Sequence, residues 1–227
     1  MNKIAIVTAA AGDRDFISDP GIKFPNVDYI AFTNQKFKSD VWDVRPLIQY
    51  SKDNFKDRLN AKLPKILPEY YLGDQYEYIF WVDATLSITE CPEKIIKTIL
   101  AENDIAVLRH PTRTCVYKEM EENILRKRDD VLTIERQAQF YKEQGYKKNQ
   151  GLYACGVIFR RMTDQIKKLN LSWWFNICKY SSRDQLSFPY CLWETNVKCN
   201  KIDGNIYNQN GFVKYTNRPT NLQQKTY

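Results

Sequence analysis

The chain has 227 residues, of which 43% are hydrophobic and 27% are charged. This composition is ordinary for a folded protein and excludes a largely disordered, collagen-like or low-complexity chain. The formal net charge of +7 fits an anionic partner, but it does not choose among nucleic acid, an acidic membrane and a phosphorylated small molecule.

Apolar runs predict five β-strands, at Ile4–Val7, Tyr29–Phe32, Tyr76–Val82, Ile105–Leu108 and Ala154–Phe159. Their near-continuous hydrophobicity is typical of parallel strands that are covered on both faces. Apolar residues at helical spacing predict helices around Ile95–Leu100, Val116–Ile124, Trp173–Ile177 and Leu186–Tyr190. Strands that alternate with helices indicate an α/β fold with a central, mostly parallel sheet flanked by helices.

The sequence shows no internal repeat, no Gly/Ser linker and no break in composition. We therefore expect a single domain over residues 1–216, followed by a polar tail from Asn217 to Tyr227. No stretch reaches the roughly 18 consecutive apolar residues of a membrane-spanning helix. The start of the chain also lacks the features of a secretory signal, so we expect a cytoplasmic location. The six cysteines form no C-x-x-C pair and are expected to be buried and reduced.

Ligands of an open α/β sheet bind beyond the carboxyl ends of its strands. The first predicted strand ends in the turn Thr8–Gly12, whose small side chains would let a base or a ribose lie close to the backbone. The turn matches neither the G-x-G-x-x-G dinucleotide pattern nor a phosphate-binding loop. Taken by itself, it is equally well interpreted as a tight turn without a ligand.

Asp83 follows the Tyr76–Val82 run directly. A carboxylate at the mouth of a buried strand is costly unless it is solvated, paired or bound to a cation. Sugar-nucleotide transferases use this position for a divalent metal that neutralises the leaving diphosphate. Thr85 stands where a second aspartate would complete a D-x-D pattern, so only half of that pattern is present. By itself, an aspartate after a strand is more often a turn former or a helix cap.

The segment Arg183-Asp184-Gln185 follows the predicted helix around Trp173. One interpretation is a structural ion pair. In the other, Asp184 faces a sugar ring, where a carboxylate takes a hydroxyl proton or stabilises an oxocarbenium-like centre. Arg183 would then orient Asp184, and Gln185 would bind sugar hydroxyls.

Two groups of basic residues could serve an anionic ligand. Arg58, Lys62 and Lys65 share one face of a helix, which could present cations to a diphosphate or could be a solvated surface. His110 and Arg113 follow the fourth predicted strand and could bind an anionic or polyhydroxylated ligand. A single histidine does not make a zinc site.

Four segments occur in the order RLNAKLPKILPEYYL, YIFWVDATLSI, RHPTRTCVYKEMEE and SWWFNICKYSSRDQLSFPY. As a set they resemble the TOD/MUCI-like family of GT-A type glycosyltransferases, which was long catalogued as a domain of unknown function. Its members come from plants, bacteria and large viruses. The resemblance runs from about Ile4 to about Trp193. It implies a Rossmann-like GT-A fold, a nucleoside-diphosphate sugar donor and, as in many GT-A enzymes, Mn²⁺ or Mg²⁺.

The resemblance also implies which residues form the site, because they occupy the positions of the family's motifs. This adds to the argument from residues that follow the predicted strands. The residues expected to bind the nucleotide sugar are Thr8, Ala9, Ala10, Asp13, Arg58, Lys62, Lys65, Asp83 and Ala84. The expected catalytic residues are Arg183, Asp184 and Gln185, the expected acceptor-binding residues are His110 and Arg113, and the expected metal ligand is Asp83. Asn34 departs from the family pattern, in which an aspartate is common at that position.

The hypothesis that follows is a metal-assisted glycosyltransferase. It would move a sugar from a nucleoside-diphosphate donor, expected to be UDP-linked, to a hydroxyl of a glycan, glycoprotein or other polymer. Three alternatives stay open: a basic nucleic-acid-binding module, a transferase that acts on modified DNA bases, and a non-catalytic carbohydrate-binding member of the family. The hypothesis requires Asp83 and Asp184 to face the same cleft.

Overall fold

A computed structural model of the chain describes residues 3–12, 15–48, 57–204 and 211–215. The strands of this part are β1 (Ile4–Ala10), β2 (Val27–Thr33), β3 (Asp43–Pro46), β4 (Tyr78–Val82), β5 (Leu86–Ile88), β6 (Ile105–Arg109), β7 (Tyr153–Arg161), β8 (Asn200–Ile202) and β9 (Val213–Tyr215). The helices are α1 (Asp57–Ile66), α2 (Pro68–Leu72), α3 (Pro92–Thr98), α4 (Val116–Leu125), α5 (Val131–Glu143), α6 (Asp164–Lys179) and α7 (Asp184–Glu194).

Among the described residues, seven strands form one sheet in the order β3-β2-β1-β4-β7-β6-β8, and β5 pairs with β9 in a small second sheet. In the large sheet β7 is antiparallel to both of its neighbours, whereas the other strand pairs are parallel. Since β4 and β6 both oppose β7, they run in the same direction. The carboxyl ends of β1, β2, β4 and β6 therefore meet the start of β7 at one edge of the sheet.

The large sheet is covered on both faces, and successive residues of β1 show this. Ala5 and Val7 join a core with residues of α1, α2 and α4 to α7. Ile4 and Ile6 point the other way, into a second core that includes α3. All seven residues of β1 are buried, which explains why the strand is an unbroken run of small and apolar residues plus one threonine.

The predicted α/β fold with a mostly parallel sheet flanked by helices is confirmed. The five predicted apolar runs correspond to β1, β2, β4, β6 and β7, although the run from Tyr76 begins two residues before β4. The four predicted helical segments correspond to α3, α4, α6 and α7, and α3 ends two residues before the predicted Leu100. The sequence pattern did not reveal that β7 is antiparallel. The predicted tail at 217–227 lies outside the described residues, and the single domain over 1–216 stays a prediction.

Two expectations about composition can be compared with the structure. Of the six free cysteines, Cys115, Cys155 and Cys191 are buried as expected, whereas Cys91 and Cys178 are exposed. Within the described ranges, no helix is both long enough and apolar enough to cross a membrane.

A buried arginine of β7 forms hydrogen bonds to the end of α1. The guanidinium of Arg160, which is inaccessible to solvent, donates to the carbonyl oxygen of Lys65 at 2.5 Å and to Asn170 Oδ1 at 2.9 Å. A longer bond of 3.4 Å reaches the carbonyl oxygen of Ile66. The last carbonyls of a helix have no partner within the helix, so Arg160 satisfies two of them and fixes the end of α1.

We predict that Arg160→Met lowers the free energy of unfolding by about 2–4 kcal/mol, because it leaves buried acceptors without their charged donor. The matched control is the neighbouring Arg161, whose side chain is 36% exposed and pairs with Asp104. Arg161→Met loses a surface ion pair, so the expected cost is below about 1 kcal/mol. Urea unfolding of both variants at neutral pH tests this, and equal losses would contradict it.

Candidate active site

A cleft of about 760 Å³ opens at the carboxyl edge of the sheet. Ten of the predicted site residues line it: Ala9, Ala10, Arg58, Lys62, Lys65, Asp83, Ala84, Arg183, Asp184 and Gln185. They come from the end of β1, from α1, from the end of β4 and from the start of α7. Segments far apart in the sequence thus converge on one site, and Asp83 and Asp184 both face it.

The small-residue turn after β1 forms one wall of the cleft. Ala9, Ala10, Ala11 and Gly12 line it. Thr8 is different, because it is buried in the sheet and its hydroxyl has no hydrogen-bond partner among the described residues. Asp13, which was predicted to bind the nucleotide, lies outside the described residues.

Asp83 is held by main-chain and side-chain bonds at the end of β4. Its N–H donates to the carbonyl oxygen of Gly156 at 2.8 Å, which fixes the backbone against β7. Its Oδ1 accepts from Trp81 Nε1 at 2.8 Å and from Lys65 Nζ at 3.1 Å. The side chain is nevertheless 46% exposed to the cleft.

Gly156 makes room for the Asp83 carboxylate. A Cβ atom at position 156 would lie 3.2 Å from Asp83 Oδ2, which is closer than most such contacts. The space beside Oδ2 therefore depends on the missing side chain. A glycine within a strand pattern signals a close approach of this kind, and the sequence interpretation did not use that signal.

Asp184 and Lys65 connect the two sides of the cleft through a chain of buried ion pairs. Lys62 Nζ lies 2.9 Å from Asp184 Oδ1, and Lys65 Nζ lies 2.7 Å from Asp184 Oδ2. Lys65 also pairs with Asp83, so the ion pairs connect four side chains of alternating charge in the order Lys62, Asp184, Lys65, Asp83. The side chains of Lys62, Lys65 and Asp184 are 13%, 6% and 10% exposed, which excludes a solvated helix face at these lysines.

Burial and pairing act in opposite directions on the three buried groups. Burial lowers the pKa of Lys62 to about 8, although Asp184 partly offsets it. Burial also acts to lower the pKa of Lys65, but its two carboxylate partners outweigh it and raise that pKa above the usual value. Burial acts to raise the pKa of Asp184, but the two lysines hold it well below the usual value, so this carboxylate is ionised at neutral pH.

The loop before α7 positions Asp184. Asp129 Oδ2 accepts hydrogen bonds from Ser181 Oγ at 2.8 Å and from the N–H and Oγ of Ser182 at 3.0 Å. At the start of α7, Trp173 Nε1 donates to the carbonyl oxygen of Asp184 at 3.2 Å. Arg183 was expected to orient Asp184, but Lys62 and Lys65 hold its carboxylate instead. The Nε of Arg183 is buried and has no hydrogen-bond partner among the described residues.

His110 and Arg113 do not lie among the residues that line the cleft. Both point to the fully buried Glu119: Arg113 Nε donates to its Oε2, and His110 Nε2 lies 3.6 Å from the same atom. His110 Nδ1 accepts the N–H of Arg113 at 3.1 Å. Burial lowers the pKa of His110, against the opposing effect of Glu119. The two side chains thus connect the loop after β6 to Glu119, and their acceptor-binding role stays a prediction.

A divalent cation would have few protein ligands here. In the part of the chain that the structure describes, no three His, Cys, Asp or Glu residues are grouped as a metal site. Asp83 Oδ1 already accepts from Lys65, while Oδ2 lies in the space left by Gly156. The half-exposed carboxylate of Asp83 fits a hard cation such as Mg²⁺, which commonly takes only one or two carboxylate ligands from a protein.

Several cleft residues were missed by the sequence interpretation. They are Asp15, Ala61, Trp81, Thr85, Cys155, Gly156 and Tyr215. Cys155 lies beside the ion-pair chain, and burial raises the pKa of its thiol well above the usual value. Tyr215 belongs to β9, which is too short to carry a periodic pattern, so no local signal predicted it.

Comparison with known proteins identifies the family. Residues 30–218 match the family described as TOD1/MUCI70, glycosyltransferase-like domain. The chain belongs to this family. The resemblance found in the sequence is thereby confirmed.

A curated relative and a solved structure were also found. Over 165 residues the chain is 27% identical to the probable hexosyltransferase MUCI70 of Arabidopsis thaliana. This alignment covers 66% of the present chain and 27% of the plant protein. The chain thus spans about a quarter of the relative's length. The crystal structure of mouse xyloside xylosyltransferase 1 in its apo form aligns with a TM-score of 0.47 at 9% identity, over 89% of this chain and 85% of the other.

We predict that Asp184→Asn lowers the free energy of unfolding by about 3 kcal/mol or more at pH 7, because it leaves two buried ammonium groups without their shared partner. The folded-state pKa of Asp184 lies below the unfolded value of 3.8. Its stabilising contribution is therefore complete above that value and is lost as the pH falls further.

The free energies of unfolding of wild type and Asp184→Asn should therefore become more similar below about pH 4. Urea unfolding at several pH values measures it. Asp164→Asn is the control, because Asp164 also lies in the first turn of a helix but is exposed. A difference that stays constant with pH would mean that Asp184 is not paired.

Proposed function

We propose that this chain is a glycosyltransferase. It takes a sugar from a nucleoside-diphosphate donor, expected to be UDP-linked, and passes it to a hydroxyl of a glycan, glycoprotein or other polymer. The observation that supports this most is the convergence of the expected donor-binding residues on one cleft of about 760 Å³, a volume suited to a small-molecule ligand. Membership of a glycosyltransferase-like family and the name of the plant relative support the same reaction class.

We assign the diphosphate of the donor to the wall formed by Lys62 and Lys65. Breaking the bond between sugar and phosphate leaves its electron pair on the phosphate oxygen, so the nucleoside diphosphate gains negative charge as it leaves. Positive groups that are already fixed in place stabilise this charge best, because they need no reorganisation during the reaction. The two lysines are fixed by carboxylates, and Arg58 and Arg183 line the same cleft.

We assign the nucleoside to the turn from Ala9 to Gly12, where no bulky side chain blocks the backbone. The sugar would then lie toward Asp83 and Gln185, whose polar groups can bind its hydroxyls. The acceptor and the cytoplasmic location stay predictions. Since His110 and Arg113 are engaged with Glu119, we propose that they shape the loop after β6, and their contact with the acceptor stays a prediction.

Asp83 is the residue that would hold Mn²⁺ or Mg²⁺. The ion, when bound, would add to the neutralisation of the diphosphate. The half-exposed carboxylate and the space beside Gly156 support this proposal. The lysine wall contributes its positive charge independently of the ion.

The function is tested first by donor binding and turnover. UDP and a UDP-sugar are expected to raise the melting temperature, because a ligand of the folded state stabilises it by mass action. Lys62→Met should weaken UDP binding about tenfold or more, since a contact with a charged group is lost. Lys94→Met is the control, because Lys94 is an exposed partner of Glu90 on α3. A wild-type chain that binds no nucleoside diphosphate and turns over no donor would overturn the function.

The metal proposal has a separate test in binding alone. Calorimetric titration of wild type with UDP should give tighter binding with Mn²⁺ than with a chelator, and Asp83→Asn should remove most of that difference. The expected gain is about tenfold, the usual effect of one charge-assisted contact. Equal affinities with and without Mn²⁺ for the wild type would contradict metal binding at Asp83 but would leave the transferase proposal standing.

A further inference from the structure

We propose that Asp184 is a positioning residue: it holds the ammonium groups of Lys62 and Lys65 at the cleft wall where the donor diphosphate binds, and it is not the base that acts on the acceptor. This inference rests on the proposed function and assigns a role within the same site. It differs from the role that the sequence predicted for Asp184, which was direct contact with a sugar ring.

The hydrogen bonds of the Asp184 carboxylate support this role. Oδ1 lies 2.9 Å from Lys62 Nζ and accepts the N–H of Gln185 at 3.1 Å, while Oδ2 lies 2.7 Å from Lys65 Nζ. A general base must come within hydrogen-bond distance of the proton that it removes. Both oxygens of Asp184 already serve other donors.

The two lysines need this carboxylate. Two ammonium groups on one helix face, both largely buried, repel each other and lose their hydration. Lys65 has a second partner in Asp83, whereas the ion pair with Asp184 is the one that the structure gives for Lys62 in its described part. Asp184 therefore keeps both lysines in place, and Lys62 depends on it most.

Asp184 itself is firmly placed. It is the first residue of α7, where the helix dipole favours a negative charge. The preceding loop is fixed by Asp129, as described above, and the following turn packs into the core through Leu186. A group that orients others must itself be held, and these contacts meet that requirement.

The binding of UDP or pyrophosphate distinguishes a positioning residue from a base that acts on the acceptor, because neither probe contains an acceptor. A base that acts only on the acceptor has no effect on the binding of these probes, whereas a residue that positions the lysines does. The charged and titratable groups that line the cleft with Lys62 are Arg58 and Lys65 of α1, Asp83 after β4, Cys155 of β7, Arg183 and Asp184 at α7, Asp15 after β1 and Tyr215 of β9.

The experiment is calorimetric titration with UDP, and separately with pyrophosphate, between about pH 5.5 and 9.5 at constant metal concentration. Wild-type affinity should fall above the pKa of about 8 for Lys62, by about tenfold in total, until it reaches the affinity of Lys62→Met. In Asp184→Asn the fall should begin at least about one unit lower, because Lys62 loses the partner that favours its charged form. Asp184→Glu should restore the wild-type profile, and the exposed-residue control Asp164→Asn should retain it.

Each outcome separates the hypotheses. If Asp184→Asn binds both probes with the wild-type pH profile but loses donor turnover, Asp184 acts in the chemistry and the inference is wrong. If wild type binds neither UDP nor pyrophosphate, the proposed function fails, and the inference fails with it. If Asp184→Asn shifts the pH profile of binding while Asp184→Glu and Asp164→Asn keep the wild-type profile, the inference and the proposed function both stand.

A second variant covers the case in which Asp184→Asn does not fold. Lys62→Met/Asp184→Asn removes both charges of one pair, and Lys65 keeps Asp83 as its partner. Under the proposal, donor hydrolysis by this double variant stays within about threefold of Lys62→Met alone, because residues that act as a unit are not additive. A further loss of about a hundredfold would assign Asp184 a direct part in catalysis and overturn the proposal.

Discussion

Lys65 is the centre of the candidate site, because its ammonium group lies between the carboxylates of Asp83 and Asp184. The ion pairs tie α1 to the end of β4 on one side and to the start of α7 on the other. A buried charge is tolerated only when it is paired, so these elements must approach each other if the lysine is to stay charged. The carbonyl of the same lysine accepts from Arg160, which fixes its backbone to β7.

The antiparallel strand β7 gives the cleft its shape. It lies between two strands that run the opposite way, so it begins at the edge where they end. Cys155 and Gly156, near its start, therefore lie beside Asp83. A side chain larger than that of glycine would press on the Asp83 carboxylate, so the chemistry of the site depends on a backbone position as well as on charged groups.

The polar clusters around Asp184 and around Glu119 both follow strand ends, and they differ in their access to solvent. Around Asp83 and Asp184, a cleft remains into which a charged ligand can enter. Around Glu119, the arginine and the histidine close on a carboxylate that has no exposed surface. The position after a strand thus marks candidates for a site, while burial and pairing decide which candidates remain accessible.

The sequence by itself determined five of the seven strands that the described residues contribute to the central sheet, because apolar runs such as Tyr78–Val82 have few other stable placements than a doubly covered sheet. It also determined the family and most of the residues that line the cleft. The short strands β3, β5, β8 and β9 were not predicted, since three or four residues are too few to show a periodic pattern of hydrophobicity. Only the tertiary structure decided that Asp184 pairs with Lys62 and Lys65 and that His110 turns to Glu119. Ion pairing between distant segments depends on which side chains are buried together, and local sequence patterns do not contain that information.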